Sequence, residues 1–292
     1  MRRAWPSLPE PFPPEFRAML DRILRHGMRV RGARRELARS RHRALVQSGT
    51  FAGHRPYVAG DDLRRIDWHA CARTGQLFVK LLTEDERRAT TLLVDTSASM
   101  LAGNVPRLCT ALRLAAILGG LALVHLDGVL VQTASGTAFT GRSNVPVLLD
   151  HLRALAPAPV DLDDVARQLA RQRAPGKVHW ISDFADPAAT ERTLHRLRRL
   201  GFQVTGWLPA IADDLGVPAG GWTRIVDPET GGELRLRVDR ELAAAMAHEL
   251  QLLQRQQQRV FAVAGQALQR VAVPADSFDA GRWLEAGWSF RR

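Results

Sequence analysis

The chain has 292 residues, 46% of them hydrophobic and 24% charged, and it carries a formal net charge of +11. That balance describes a globular chain long enough to bury a sizeable core, and it excludes disorder of the bulk. Cys71 and Cys109 are the only cysteines, with no CxxC spacing and no histidine pair at zinc spacing; this excludes a disulfide framework and a structural zinc centre and leaves both as small buried residues.

Residues 1–14 hold Pro6, Pro9, Pro11, Pro13 and Pro14 and read as a flexible, extended lead-in, because proline removes backbone donors. No apolar run follows Arg2 and Arg3, so this is not a signal peptide and the expected location is cytoplasmic. From residue 15 to about residue 40, Phe16, Met19, Leu20, Ile23 and Leu24 recur at helical spacing, which predicts an amphipathic helix broken near Gly27 or Gly32. Arginine supplies almost all the positive charge, in keeping with GC-rich coding, and its densest run, residues 22–43, reads as a solvated basic face. No nucleic-acid reader motif accompanies it, so no sequence-specific nucleic-acid binding is expected.

Residues 47–88 hold short strand-like pieces, among them Leu77–Leu82. Thr90–Val94 is apolar and β-branched and reads as a buried parallel strand ending on Asp95. Helices are predicted at 105–126, 145–155, 162–172 and 187–200, with strands at 128–133, 177–183 and 202–208. The apolar run Leu114–Val124 is shorter than the roughly 18–20 residues of a membrane span, so it reads as a buried helix and no membrane span is expected. Strands alternating with helices imply an α/β fold, with a mostly parallel, Rossmann-like sheet, helices on both faces and a binding site at the C-terminal strand ends. Beyond Pro209, residues 223–226 and 233–238 read as a β-hairpin, and a long helix starts at the cap Asp239, interrupted by the polar run 255–258. The expected division is a lead-in (1–14), an N-terminal helix and the segment after it (15–88), an α/β core (89–210) and a C-terminal hairpin and helical extension (211–292).

Directly after the first buried strand, Asp95-Thr96-Ser97-Ala98-Ser99 forms a D-x-S-x-S turn. One carboxylate and two hydroxyls at alternate positions suit a hard cation, Mg²⁺ or Mn²⁺. The other reading is that Asp95 and the serines merely cap the next helix. The arrangement looks like the metal-ion-dependent adhesion site of von Willebrand factor A domains, and that resemblance implies a threonine and an aspartate from two later loops. Asp183, at the end of the apolar strand Val178–Ile181, stands where the aspartate belongs. Val160 stands where the threonine is expected, which makes the site degenerate, and Asp161 beside it is either a further ligand or a helix cap.

Upstream, Arg55, Tyr57, Gly60, Asp61, Asp62, Arg64, Ile66, Asp67 and Trp68 follow the pattern R-x-Y-x-x-G-D-D-x-R-x-I-D-W, with Ala72-Arg73 after it. This resembles the signature of the domain-of-unknown-function 58 family, and the resemblance covers residues 25–215. By residue chemistry alone, Gly60 permits a sharp turn, Asp61 and Asp62 accept turn amides, and Asp67 can pair with Arg64, Arg65 and Arg73. Trp68 is expected to anchor the loop in the core. The segment then acts as a structural latch; the alternative is a partner-binding edge built on Asp61, Arg64, Asp67 and Arg73.

Enzyme motifs are missing from the sequence. There is no phosphate-binding GxxxxGK[ST] loop and no GxSxG elbow, and Ser97 occupies the position at which a haloacid-dehalogenase-type phosphotransferase needs a second carboxylate. Two function classes remain. One is a non-catalytic, von Willebrand factor A-like adaptor; the family resemblance implies work with a MoxR-type AAA+ ATPase in the assembly or maturation of other proteins. The other is a metal-dependent hydrolase or nuclease using the Asp95 cluster. A hydrolase needs a positioned base or a second cation, so the sequence favours the adaptor.

Overall fold

The computed structural model describes residues 9–27, 50–58, 66–83, 90–101, 107–124, 128–133, 136–156, 158, 161–171, 176–210 and 219–272. Helix α1, over 14–27, buries Phe16, Met19, Leu20, Ile23 and Leu24, the stripe that its spacing predicts. The residues before it are packed as well, which corrects the flexible lead-in for residues 9–14. Phe12 is buried and stacks on Phe16 at 5.5 Å. The Pro11 carbonyl accepts from Arg113 Nε at 2.6 Å, and the Pro9 carbonyl from the Cys109 thiol at 3.7 Å. Proline lacks a donor but keeps its carbonyl, and these carbonyls tie the segment down.

The described residues fall into two compact units, one holding those up to Val30 and from Ala89 onward, the other those between. In the smaller unit β1 (Thr50–Pro56) pairs antiparallel with β2 (Phe78–Thr83), with a register irregularity between Phe51 and Gly53, and α2 (Trp68–Thr74) lies between them in sequence.

The larger unit continues with β3 (Thr90–Val94), α3 (Arg107–Val124), β4 (Val129–Gln132), β5 (Gly136–Phe139), α4 (Val145–Arg153) and α5 (Leu162–Ala170). Then come β6 (Lys177–Ile181), α6 (Pro187–Arg199), β7 (Gln203–Ala210), β8 (Trp222–Val226), β9 (Glu233–Arg237), α7 (Arg240–Val263) and β10 (Ala267–Ala272). Six strands form one sheet in the order β10-β7-β6-β3-β4-β5, parallel except for the edge strand β5. Counted from β3 this is the doubly wound order 3-2-1-4-5-6, the mostly parallel von Willebrand factor A-like sheet that the sequence implies. The sixth strand, β10, comes from beyond residue 210, so the sheet does not end at the expected core boundary. Neither β5 nor β10 stands out in the sequence, because edge strands need no continuous apolar run.

Successive strand residues face opposite layers. Leu92 and Val94 of β3 join α1, α3 and α4 in one cluster, and Leu93 joins α5, α6 and α7 in the other. Helix α3 has the length and hydropathy of a membrane span, yet 83% of it is buried inside this fold, which is what an all-round apolar helix at the centre of a layer requires. Gly119 and Gly120 make that packing close: a Cβ on Gly119 would lie 2.8 Å from Leu148 Cδ2, and one on Gly120 3.1 Å from Leu24 Cδ2. On the other face, Gly206 of β7 lets the Phe261 ring of α7 rest directly on the strand.

Buried His179 on β6 accepts a hydrogen bond at Nδ1 from Trp207 Nε1 at 3.1 Å. Burial, reinforced by Lys177, lowers its pKa to about 4. The unfolded chain therefore takes up this proton below about pH 6.5 while the fold resists it, so stability falls with acidification from pH 6.5 towards 4, by about 3 kcal/mol in all. Denaturant titration at pH 7 and pH 4 is expected to show that loss, with a flatter pH dependence in His179→Gln. Gly206→Ala is expected to cost about 1–3 kcal/mol by overpacking against an aromatic ring that cannot bend away, measured by the same titration at pH 7.

Candidate functional site

Parallel pairing of β3 with β6 sets Val94 against Ile181, so Asp95 and Asp183 lie just beyond neighbouring strand ends. The Asp95 N–H donates to the Ile181 carbonyl at 2.9 Å. Asp95 Oδ1 accepts the Ser97 N–H at 2.9 Å, and Oδ2 accepts the Ser182 hydroxyl at 2.6 Å. The Ser97 and Ser99 hydroxyl oxygens lie 3.1 Å apart. Thr96, between Asp95 and Ser97, turns inward: its hydroxyl donates to the Ala158 carbonyl at 3.0 Å and its carbonyl accepts the Ala158 N–H at 2.8 Å. Alternation along the turn thus presents Asp95, Ser97 and Ser99 together while Thr96 holds the neighbouring loop.

Burial, followed by the negative charge of Asp95, pushes the Asp183 carboxyl above its ordinary pKa. A hydrogen bond from the Ser99 hydroxyl, the Arg107 guanidinium 3.7 Å away and the Ala185 N–H at 3.2 Å pull it back. The next residue, Phe184, has a φ of 52°, a conformation that costs a bulky side chain free energy unless its surroundings fix it. They do so here. Its ring sits edge-on to Trp180 and Phe261, its N–H donates to Ser182 Oγ at 3.1 Å, and Gln257 Nε2 donates to the carbonyls of Asp183 and Phe184 at 3.0 and 3.1 Å.

Ser182, Arg107 and Gln257 are site residues that the sequence reading does not single out. Ser182 was visible beside Asp183 as a hydroxyl at a strand end. Gln257 lies in the polar run expected to interrupt the last helix; α7 instead runs through it unbroken, and Gln257 is the buried member of that run. A further contact comes from the turn between β8 and β9, where Glu229 Oε1 accepts the Ser99 N–H at 2.9 Å.

Asp161 is an N-cap: Oδ1 accepts from the Asp163 and Asp164 amides at 2.9 and 3.1 Å, at the exposed start of α5. Val160 lies outside the described residues, as do Gly60, Asp61, Asp62 and Arg64 of the signature. In the smaller unit, the Tyr57 N–H donates to the Leu77 carbonyl and the Asp67 N–H to the Phe78 carbonyl, both at 2.9 Å, so the ends of the signature are pinned to β2 and its approach. Asp67 caps α2 by accepting from His69 N and Ala70 N, a contact worth about 1 kcal/mol. Trp68 is 65% exposed, which corrects its role as a core anchor: as the first residue of the capped helix it projects from the turn. Arg73 is exposed in the last turn of α2, and Cys71 is half-buried, with its sulfur accepting the Phe78 N–H at 3.4 Å.

The donor chemistry fits a hard cation. Adjacent ligands around an ion held at 2.0–2.1 Å lie about 3 Å apart, the spacing of the two serine hydroxyls, and two carboxylates flank them. Among the described residues no three His, Cys, Asp or Glu side chains cluster at one point, so the candidate set is Asp95, Ser97, Ser99 and Asp183, part carboxylate and part hydroxyl.

The family described as "Protein of unknown function DUF58" matches residues 53–259, so the match runs through most of α7. The uncharacterized proteins Rv1480 of Mycobacterium tuberculosis and Mb1516 of Mycobacterium bovis are each 30% identical over 159 residues, 49% of this chain and 49% of theirs. The chain thus spans about half the length of these curated relatives. Among solved structures, an aerotolerance-related membrane protein from Bacteroides fragilis is 16% identical, covering 69% of this chain and 97% of its own, with a TM-score of 0.38. The conserved hypothetical protein BatB from Bacteroides thetaiotaomicron is 17% identical, covering 70% and 98%, also with a TM-score of 0.38.

A carboxyl whose pKa is raised by folding binds its proton more tightly in the folded chain, so its contribution to stability is full at acid pH and is lost as the pH rises through the folded value. Asp183→Asn removes that loss. The variant is expected to melt above wild type at pH 7, by about 2–4 °C per kcal/mol recovered, and to lose the advantage near pH 4, as followed by calorimetry.

Proposed function

Because it belongs to the DUF58 family of proteins of unknown function, we propose that this chain is a non-catalytic interaction module whose strand-end surface receives a protein partner. The observation that carries the reading is the convergence of Asp95, Ser97, Ser99 and Asp183 at neighbouring strand ends, where burial and then the charge of Asp95 raise the pKa of Asp183. Such a surplus of negative charge favours a divalent cation, Mg²⁺ or Mn²⁺, and a cation with an open position can accept an acidic side chain from another protein. The partner that the family resemblance implies is a MoxR-type AAA+ ATPase, acting with this chain in the cytoplasm on the assembly or maturation of other proteins.

The hydrogen bonding supports recognition over turnover. Each Asp95 oxygen already accepts a bond within the site, and the Ser97 and Ser99 hydroxyls lie against one another. Ser99 donates to Asp183, but that carboxyl is also held by Arg107 and the Ala185 N–H and belongs to the acidic cluster, whereas a nucleophile requires a base of its own.

Calorimetric titration with Mg²⁺ and Mn²⁺ tests the cation, and binding to a co-encoded MoxR-type ATPase, with and without EDTA, tests the partner. Asp95→Ala is expected to abolish the heat of cation binding and to weaken the complex at least about tenfold, or ~1.4 kcal/mol. Binding that ignores both EDTA and Asp95→Ala would remove the bridging cation from the reading. Asp95-dependent hydrolysis of a phosphoester would replace the adaptor with the hydrolase.

A further inference from the structure

The β8–β9 hairpin stands apart from the six-stranded sheet as a two-stranded ribbon, and neither of its strands contains a buried residue. Trp222 at its base is 79% exposed. It meets the strand-end site through Glu229, which reaches a backbone amide 130 positions away in sequence, the Ser99 N–H. We propose that this hairpin is an internal competitor: Glu229 occupies the place on the Asp95–Ser99 turn that an acidic side chain of the partner takes once the hairpin lifts. This rests on the reading of the strand ends as a partner-binding surface and adds to it a device that holds the surface closed.

The turn is built to present that carboxylate. Asp227 Oδ1 accepts the Glu229 N–H at 2.9 Å and Oδ2 accepts the Thr230 hydroxyl at 2.5 Å. The Asp227 carbonyl accepts the Gly231 N–H at 2.7 Å, and Gly231 takes a φ of 73° to close the loop. Glu229 therefore projects from a pre-formed tip, with little ordering left to lose on contact. The base of the ribbon supplies a joint. Gly220 and Gly221 have φ values of 108° and 124°, which non-glycine residues rarely adopt. On the other strand, buried Val238 donates its N–H to the Gly221 carbonyl at 3.0 Å and leads into the Asp239 cap of α7. The ribbon is pinned at its base and touches the site at its tip, so it can swing without unpacking either core cluster.

Electrostatics make the contact displaceable. Glu229 brings a negative charge towards Asp95 and Asp183, and a single backbone amide holds it at an exposed position. One such bond shifts an equilibrium by roughly one order of magnitude, enough to bias the surface towards the closed form and little enough for a partner to overcome.

The test uses the full chain and a fluorescent ring-closed peptide of residues 222–237 as the probe, with binding read by anisotropy. Wild type, its site already filled, is expected to bind the peptide on the order of tenfold more weakly than Glu229→Ala. A peptide carrying Glu229→Ala is expected to bind neither chain. Because Glu229 is exposed, the substitution leaves the fold in place, as equal melting temperatures will show. Equal peptide affinity for wild type and Glu229→Ala, or binding that does not need the peptide's carboxylate, overturns the competitor. If the ATPase binds in an Asp95-dependent way yet Glu229→Ala leaves its affinity unchanged, the competitor fails and the partner-binding surface stands. If the peptide behaves as expected and the ATPase ignores Asp95, the docked hairpin stands and that choice of partner fails.

Discussion

Parallel pairing of β3 with β6 forces two carboxylates, Asp95 and Asp183, to the same end of the sheet, and the local structure answers the burial of Asp183 and then the charge of Asp95 beside it. Removed from water without partners, a carboxylate would take up a proton. Here the Ser97 amide and Ser182 hydroxyl hold Asp95, while the Ser99 hydroxyl, the Ala185 amide and Arg107 attend Asp183. These bonds lessen the cost without cancelling it, since Asp183 still has a raised pKa. The site is thus held under electrostatic load, and the load is carried by packing elsewhere in the larger unit.

Helix α7 connects that packing to the site. Phe261 fills the hollow over Gly206 and meets Phe184 edge-on, and one helical turn earlier Gln257 holds the two carbonyls of the Asp183–Phe184 loop. The left-handed backbone at Phe184, directly after Asp183, persists because a ring, an amide and a hydroxyl all fix it at once. A helix that a sequence-based division treats as an appendage therefore holds the backbone of the loop that carries the second carboxylate.

The parts legible in the sequence were those governed by local period and by short chemistry. The stripe from Phe16 to Leu24, the apolar runs of β3 and β6, the cap at Asp239 and the hairpin turn all carry their signal within a few residues. Asp95, Ser97, Ser99 and Asp183 were legible for the same reason, as turn residues set directly after buried strands. What escaped depends on contacts distant in the chain. Gln257 looks like an interruption because nothing near it in sequence reveals the two carbonyls that it satisfies. Trp68 looks like a core anchor by its size, but its place at the start of a capped helix turns it outward. The packing of residues 9–14 depends on acceptors that proline retains and that composition alone does not reveal. Arg107 could not be told from many other arginines, and Glu229 reaches the site only because the hairpin folds back across 130 positions.

The two sides of the site differ in how firmly they are held, and that difference bears on the proposed role. On one side β6, Phe184 and α7 fix Asp183 through several buried contacts, so moving it would mean opening a core cluster. On the other, a ribbon without buried strand residues supplies one carboxylate through one amide. A catalytic site gains from rigidity on all sides, because its groups must meet the transition state without reorganising. A recognition surface gains from a fixed floor and a light cover: the floor sets specificity, and the cover sets the threshold a partner must exceed. In the proposed role, the acidic cluster is the floor and the Glu229 turn is the cover.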